Sequence, residues 1–299
     1  MSEQWEAIEA KREEQVGEST YFIDADNFGE VARLCKQHRL LANGMGGALP
    51  EISDFSYIQD VLDIACGAGG WAVDIALAHP TVQVTGVDIN PGMLEYARSQ
   101  AQEEDVQNLH LHLMDVTRPL DFFHNTFDLV NARLLSSFMP TSKWPTFLRE
   151  CARITRPGGA IRVVEAEAPL TNSAACEQLN ALIAQSLKAG GLGFSPDGRH
   201  LGLIPVMKRL LQDAGCCNVR LFSYAIDCSA NSLEHVRAYQ NGQTVYKLVQ
   251  PYLLQLGLAT QQELDRLYHL ALEDMNSPDF CALWTFVTVL GEVPDPNKA

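Results

Sequence analysis

Three aspartates, Asp63, Asp88 and Asp115, each stand at or near the end of a short apolar run. The runs Val61–Ile64, Val82–Val87 and Leu109–Met114 read as strands, the first as a continuous buried run and the third by its alternation. Between the first strand and a helix over 71–78, which must stop at Pro80, lies Cys66-Gly67-Ala68-Gly69-Gly70. A glycine-rich turn of this kind lets a ligand press on bare backbone at a helix N-terminus, where N–H groups point outward. Asp88 follows Gly69 by nineteen residues, a placement that suits a carboxylate accepting both hydroxyls of a ribose. Asp115, at the end of the next strand, could accept from an adenine amino group. Asp63 is the discriminating residue. A carboxylate in a buried strand is costly unless a cationic or hydrogen-bonding group meets it, so a pyrophosphate would bring the wrong charge.

These residues resemble the motifs of class I S-adenosylmethionine-dependent methyltransferases, small-molecule type, in particular the ubiquinone- and menaquinone-biosynthesis group. The likeness is strong over residues 57–168 and weak in the C-terminal strands. The family's acid-x-Gly-x-Gly-x-Gly appears as Asp63-x-Ala65-x-Gly67-x-Gly69, with alanine in the first glycine position. The resemblance implies S-adenosyl-L-methionine as cofactor, ribose at Asp88 and the adenine edge at Asp115. Ile89, Met93 and Val116 would flank the adenosine, and Asn131, ending Phe127-Asp128-Leu129-Val130-Asn131, would lie beside the methionine part. Arg156-Pro157-Gly158-Gly159 resembles the family's turn before its fifth strand, here 160–167. The implied fold is α/β. It has a Rossmann-like, seven-stranded, mostly parallel sheet with an antiparallel last strand, helices on both faces, and N-terminal and inserted helical lid segments.

The elements that must position these residues follow in chain order. Residues 3–16 and 27–42 read as helices, the second with Val31, Leu34, Cys35, His38 and Leu41 as its apolar stripe. By the resemblance, such leading helices fold over the cofactor, with Tyr21 toward the sulfonium and Arg39 toward the methionine carboxylate. Ordinary packing for Tyr21 and a solvated position for Arg39 are the alternatives. Asn90-Pro91 is an N-cap followed by a first-turn proline. Residues 143–154 read as a helix interrupted early by Pro145, 172–188 and 203–214 as helices, and 219–228 and 281–290 as late strands. Residues 231–276 read as helical in two segments broken around Pro251 and Gly257. The organisation is then a lid over 1–50, a cofactor-binding core over 51–168, and a helical and glycine-rich insertion over 169–202. Residues 203–299 complete the sheet, with a helical insertion at 230–278. The five glycines between 190 and 202 suit a lid that opens and closes.

Composition narrows the partners. A formal charge of −15 over 299 residues argues against nucleic acid, which calls for clustered Lys and Arg. The eight cysteines form no C-x-x-C and none has zinc-ligand spacing with histidines, so no metal is expected and a reducing, cytoplasmic setting fits. Residues 1–15 carry no signal-peptide core, and no apolar run has the length of a membrane span. A small-molecule acceptor is expected, and a homodimer is compatible with the sequence. No catalytic signature stands out. Candidate bases are Glu165 and Glu167, at a strand end, and His200, in the glycine loop, with Tyr21 as an acid; solvation, an ion pair with Arg162 or helix capping would explain the same residues without chemistry. Two rival readings are an NAD(P)-dependent oxidoreductase, since Gly67-x-Gly69-x-x-Ala72 formally fits G-x-G-x-x-G/A, and a non-catalytic protein that binds the methyl donor.

Overall fold

The structure, a computed structural model, describes residues 28–297; the helix expected over 3–16 lies outside them. Val61, Leu62 and Ile64 have no exposed surface, as a central strand requires. They belong to β1 (Asp60–Ile64), which pairs in parallel with β2 (Gln83–Asp88) on one side and β4 (Phe127–Arg133) on the other. Outside these lie β3 (Leu109–Leu113), parallel to β2, and β5 (Thr155–Ala166), parallel to β4. The long last strand, β8 (Ala282–Glu292), runs antiparallel to β5, and β7 (Cys217–Asp227) closes that edge. The order 3-2-1-4-5-8-7 therefore gives the seven expected strands, with the last one antiparallel. An eighth, the two-residue β6 (Leu170–Thr171), continues the line of β5 along β8. Because β1, β2 and β3 are parallel and begin in register, their terminal acids arrive at one edge.

Helices cover both faces. Trp71, Ala72, Ile75 and Ala76 of α2 (Gly70–Ala78) bury against Val61, Val84 and Leu129. The helix α3 (Pro91–Glu103) is capped as expected, with the Asn90 side chain accepting from the Met93 N–H at 3.0 Å and proline in the first turn. On the opposite face, α4 (Trp144–Ile154) and α6 (Ile204–Asp213) pack Trp144, Phe147, Leu148, Met207 and Leu211 against Leu62, Ile161 and Val289. Pro145 begins α4 rather than interrupting it, since a first-turn proline gives up no hydrogen bond. The Arg156–Gly159 segment is part of β5 and not a free turn; the register with β4 shifts there between Phe127 and Leu129.

A second core sits over the carboxyl ends of the strands. It is built by α1 (Phe28–Met45), α5 (Ala174–Ala189), α7 (His235–Leu248), α8 (Gln250–Gln255) and α9 (Gln261–Met275). Leu40, Leu41, Leu179, Tyr246, Leu264 and Leu267 meet Phe286 of the sheet in its interior. The stretch expected as two helical segments is thus three, because Pro251 opens α8 in its first turn. Among the described residues, no helix is long and apolar enough to cross a membrane.

Candidate functional site

The chain leaves β1 through Ala65, which takes a positive φ of 52°, and turns through Gly67 and Gly69 at 54° and 78° into α2. Gly69 has a second constraint. A Cβ there would lie 2.6 Å from the Cβ of Ala97, so only glycine lets α2 and α3 approach and hold the turn between them. The turn is fastened by Asp88, whose Oδ2 accepts from the Gly67 N–H at 2.8 Å while Oδ1 accepts from the Asn90 N–H at 2.9 Å. Burial raises the pKa of Asp88, and these backbone donors oppose the rise. Asp115 is ordered by the Thr117 N–H and hydroxyl at 2.9 and 2.7 Å, and it pairs with Arg118 at 3.2 Å.

From this turn a cavity of about 360 Å³ runs into the helical cap. Ala65, Gly67, Asp88, Ile89, Met93, Asp115 and Val116 line the end at the glycine turn. Acids at two strand ends and apolar Ile89, Met93 and Val116 between them offer a ribose its acceptors and a flat base its walls, so the residues present fit an adenosine. The far end is mainly apolar, walled by Phe138, Ile183, Leu187, Val245, Tyr246 and Trp284. Glu167 lines the cavity too, and its carboxylate accepts from the N–H groups of Leu201 and Gly202 at 2.8 and 2.9 Å. The glycine-rich loop is therefore latched to the end of β5.

Other expected site residues lie elsewhere. Asp63 is 1% exposed and does not face the cavity. Its Oδ1 accepts from the Asn131 side chain at 2.8 Å, and Asn131 in turn accepts from Arg162 at 2.8 Å. Arg162 is paired with the buried Glu51 at 3.0 Å, and Glu51 also accepts from Tyr224 at 2.9 Å. Asp63 and Asn131 thus belong to a polar chain within the sheet, behind the cavity wall, where burial pushes Asp63 up to about 6 against the pull of Arg133. Gly69 is likewise behind the wall. Glu165 has no exposure and is off the cavity. Its oxygens accept from the N–H groups of Leu135 and Ser136 and the Ser136 hydroxyl, at 2.7, 3.2 and 2.6 Å. It caps the turn after β4, and burial pushes it up to about 7. His200 and Arg39 are exposed and absent from the wall; Tyr21 lies outside the described residues. The expectation that Glu165, His200 and Arg39 reach into the site is thereby corrected. Strand alternation and loop position do not say which neighbour takes a side chain.

Two wall residues were not legible as such. His38, read only as part of an apolar stripe, lays its ring against Gly70, where a Cβ would be 2.6 Å from the ring. Its Nε2 meets Asp74 at 2.9 Å and its Nδ1 meets Arg133 at 3.4 Å. Burial, aided by Arg133, lowers the His38 pKa against the pull of Asp74. Arg133 ends β4, and its strand-end position was the one available signal. The described residues contain no cluster of three or more His, Cys, Asp or Glu able to hold a metal.

A glycine turn fastened by one strand-end acid, with a second acid one strand further out, on a sheet ordered 3-2-1-4-5-8-7, forms a site that fits S-adenosylmethionine. Residues 61–159 match the family model described as a methyltransferase domain. The chain is 31% identical over 110 residues to a demethylmenaquinone methyltransferase of Lactococcus lactis, covering 36% of this chain and 42% of that protein. To the N-methyltransferase sirN of Leptosphaeria maculans it is 29% identical over 181 residues, 58% of this chain and 61% of the relative. The chain thus spans less than two thirds of the length of these curated relatives. Among solved structures, it resembles a Haemonchus contortus phosphoethanolamine N-methyltransferase with S-adenosylhomocysteine, at TM-score 0.54 and 17% identity, over 92% of this chain and 60% of that one. The YcgJ protein of Bacillus subtilis matches at TM-score 0.50 and 16% identity, over 88% and 97% of the two chains.

Proposed function

We propose that the protein transfers a methyl group from S-adenosylmethionine to a small, largely apolar acceptor enclosed between the sheet edge and the helical cap. One observation carries this reading: a single cavity joins the Asp88 and Gly67 end to an apolar chamber walled by Phe138, Ile183, Tyr246 and Trp284. The cofactor, when bound, supplies an electrophilic methyl and its own leaving group, so the protein's part is to align the two reactants and keep water out. Asp88 would hold the ribose, Asp115 the adenine edge, and Ile89, Met93 and Val116 the faces of the base. The cap residues would set the acceptor in line, and the Glu167 latch would keep the 190–202 loop closed over it. With Glu165 and His200 off the wall, the reading rests on positioning rather than on either as a base. The relatives include an enzyme named for demethylmenaquinone, an acceptor of this kind.

Calorimetry tests the cofactor half: S-adenosylmethionine or S-adenosylhomocysteine should bind saturably, and NAD and NADP should not. NAD binding without S-adenosylmethionine binding would sink the proposal. Accumulation of S-adenosylhomocysteine with a quinol, phenol or amine acceptor tests the rest. No turnover with any acceptor leaves a non-catalytic binder, and a preferred macromolecular acceptor would overturn the enclosed chamber.

A further inference from the structure

Two asparagines of the helical cap line the apolar end of the cavity, and they are not equivalent. Asn180 of α5 is closed on the protein. Its Oδ1 accepts from the Tyr246 hydroxyl at 3.0 Å, and its Nδ2 donates to the Pro169 carbonyl at 3.0 Å. Asn241 of α7 is 7% exposed, and its Oδ1 accepts from an Arg33 nitrogen at 3.0 Å. A guanidinium only donates, so the atom facing it must be the amide oxygen, and the orientation of the amide is fixed. Arg33 is itself held, because Glu30 accepts from two of its other nitrogens at 2.7 and 2.6 Å, and both side chains are buried. The Nδ2 of Asn241 has no hydrogen-bond partner among the described residues. It is not sealed in the packing, so its two N–H donors open on the cavity. Amide donors this far out of water are costly to leave unpaired.

We propose that Asn241 determines which acceptor the chamber takes. Its amide donates to an oxygen of the acceptor, selecting apolar molecules that carry a carbonyl or phenolate oxygen over protonated amines. The inference deepens the enclosed-acceptor reading above and rests on it. Asn241 stands between Ala238 and Val245 on the α7 face that lines the chamber, so the donor is a polar point between apolar neighbours. Such a point fixes the orientation of a molecule that is otherwise held by apolar burial. The chain of donors from Arg33 through the amide polarises it and strengthens the N–H groups at its far end. An acceptor oxygen satisfies those donors. A protonated amine brings donors only, and would leave both sides unpaired.

The test uses three ligands with one skeleton: 2-acetylnaphthalene, 2-isopropylnaphthalene and 1-(2-naphthyl)ethylamine. At neutral pH they present a carbonyl oxygen, a methyl group and an ammonium at the same position. Fluorescence titration of wild-type protein saturated with S-adenosylhomocysteine should show the ketone binding about tenfold more tightly than the hydrocarbon, which leaves the donors unpaired. The amine should bind most weakly. Asn241→Leu should abolish the preference for ketone over hydrocarbon. Asn241→Asp, which puts an oxygen where Nδ2 stands, should weaken the ketone by about tenfold and bring the amine above it. S-adenosylhomocysteine affinity should stay within about threefold in both variants. A residue that only holds the helices together would not invert the order of the ligands. Wild-type complex that does not distinguish ketone from hydrocarbon, or that prefers the amine, overturns the proposal and leaves the enclosed-acceptor reading standing, whether or not the variants fold. If none of the three binds, the apolar chamber fails and the proposal with it. Wild-type protein that does not bind S-adenosylhomocysteine overturns the cofactor reading itself.

Discussion

Replacing Asp88 should do two separable things, and their sizes follow from its contacts. In the structure both oxygens are already engaged, Oδ2 by the Gly67 N–H at 2.8 Å and Oδ1 by the Asn90 N–H at 2.9 Å. A carboxylate oxygen has a second lone pair, so each can still accept from a ribose hydroxyl. Hydrogen bonds to a charged group are worth about 1.5–3 kcal/mol, and each 1.4 kcal/mol is a factor of ten. Asp88→Ala should therefore weaken S-adenosylhomocysteine binding by about tenfold to a hundredfold. It also strands two backbone donors beside the glycine turn. At about 1–2 kcal/mol for each donor, toward the low end because the cavity admits water, the ligand-free protein should lose about 2–4 kcal/mol. For a chain of this size that is a fall in Tm of roughly 4–8 °C. Asp88→Asn keeps one acceptor and should fall between wild type and alanine in both measurements. Calorimetry and a thermal melt without ligand read the two effects independently. An affinity within twofold of wild type would place the ribose elsewhere, and an unchanged melt would mean that the turn does not depend on this carboxylate.

Gly69→Ala combines a φ of 78° with a Cβ 2.6 Å from that of Ala97; strain and overpacking together should cost about 2–4 kcal/mol in urea unfolding, and a loss under about 0.5 kcal/mol would show that α2 and α3 separate freely. Glu165, pushed by burial up to about 7 from 4.5, keeps a proton in the folded protein that the unfolded chain has lost, so its effect on stability falls as pH rises from about 4.5 to 7 and then levels off. Glu165→Gln lacks that fall. The variant should gain on wild type by up to roughly 3 kcal/mol between pH 4.5 and 8, and parallel stability curves for the two proteins would contradict the assignment.

The sequence by itself placed the glycine-turn end of the cavity, because that end is local. Periodicity marks a strand, glycines mark the turn that only they can make, and a strand-end acid needs no knowledge of distant chain. Asp88, Asp115, Met93 and the Asn90 cap are all placed by their own segments in this way. It also carried the strand order, through a resemblance concentrated in those same segments.

What only the tertiary structure decided is which side chains share a neighbour across long separations. Asp63 looked like a residue waiting for a ligand; Asn131, Arg162 and Glu51 answer it instead, through successive links of 68, 31 and 111 residues along the chain. Glu165 looked like a base at a strand end and is held by the turn after β4, while Glu167, two residues on, faces the cavity and latches the loop. His38 and Arg133 are separated by 95 residues, and neither has a local pattern that speaks of the other. Burying a charge without a partner is costly. Sequence spacing can show that a partner is required, but only the packing of α1 over the sheet edge decides whether it is another side chain or a ligand.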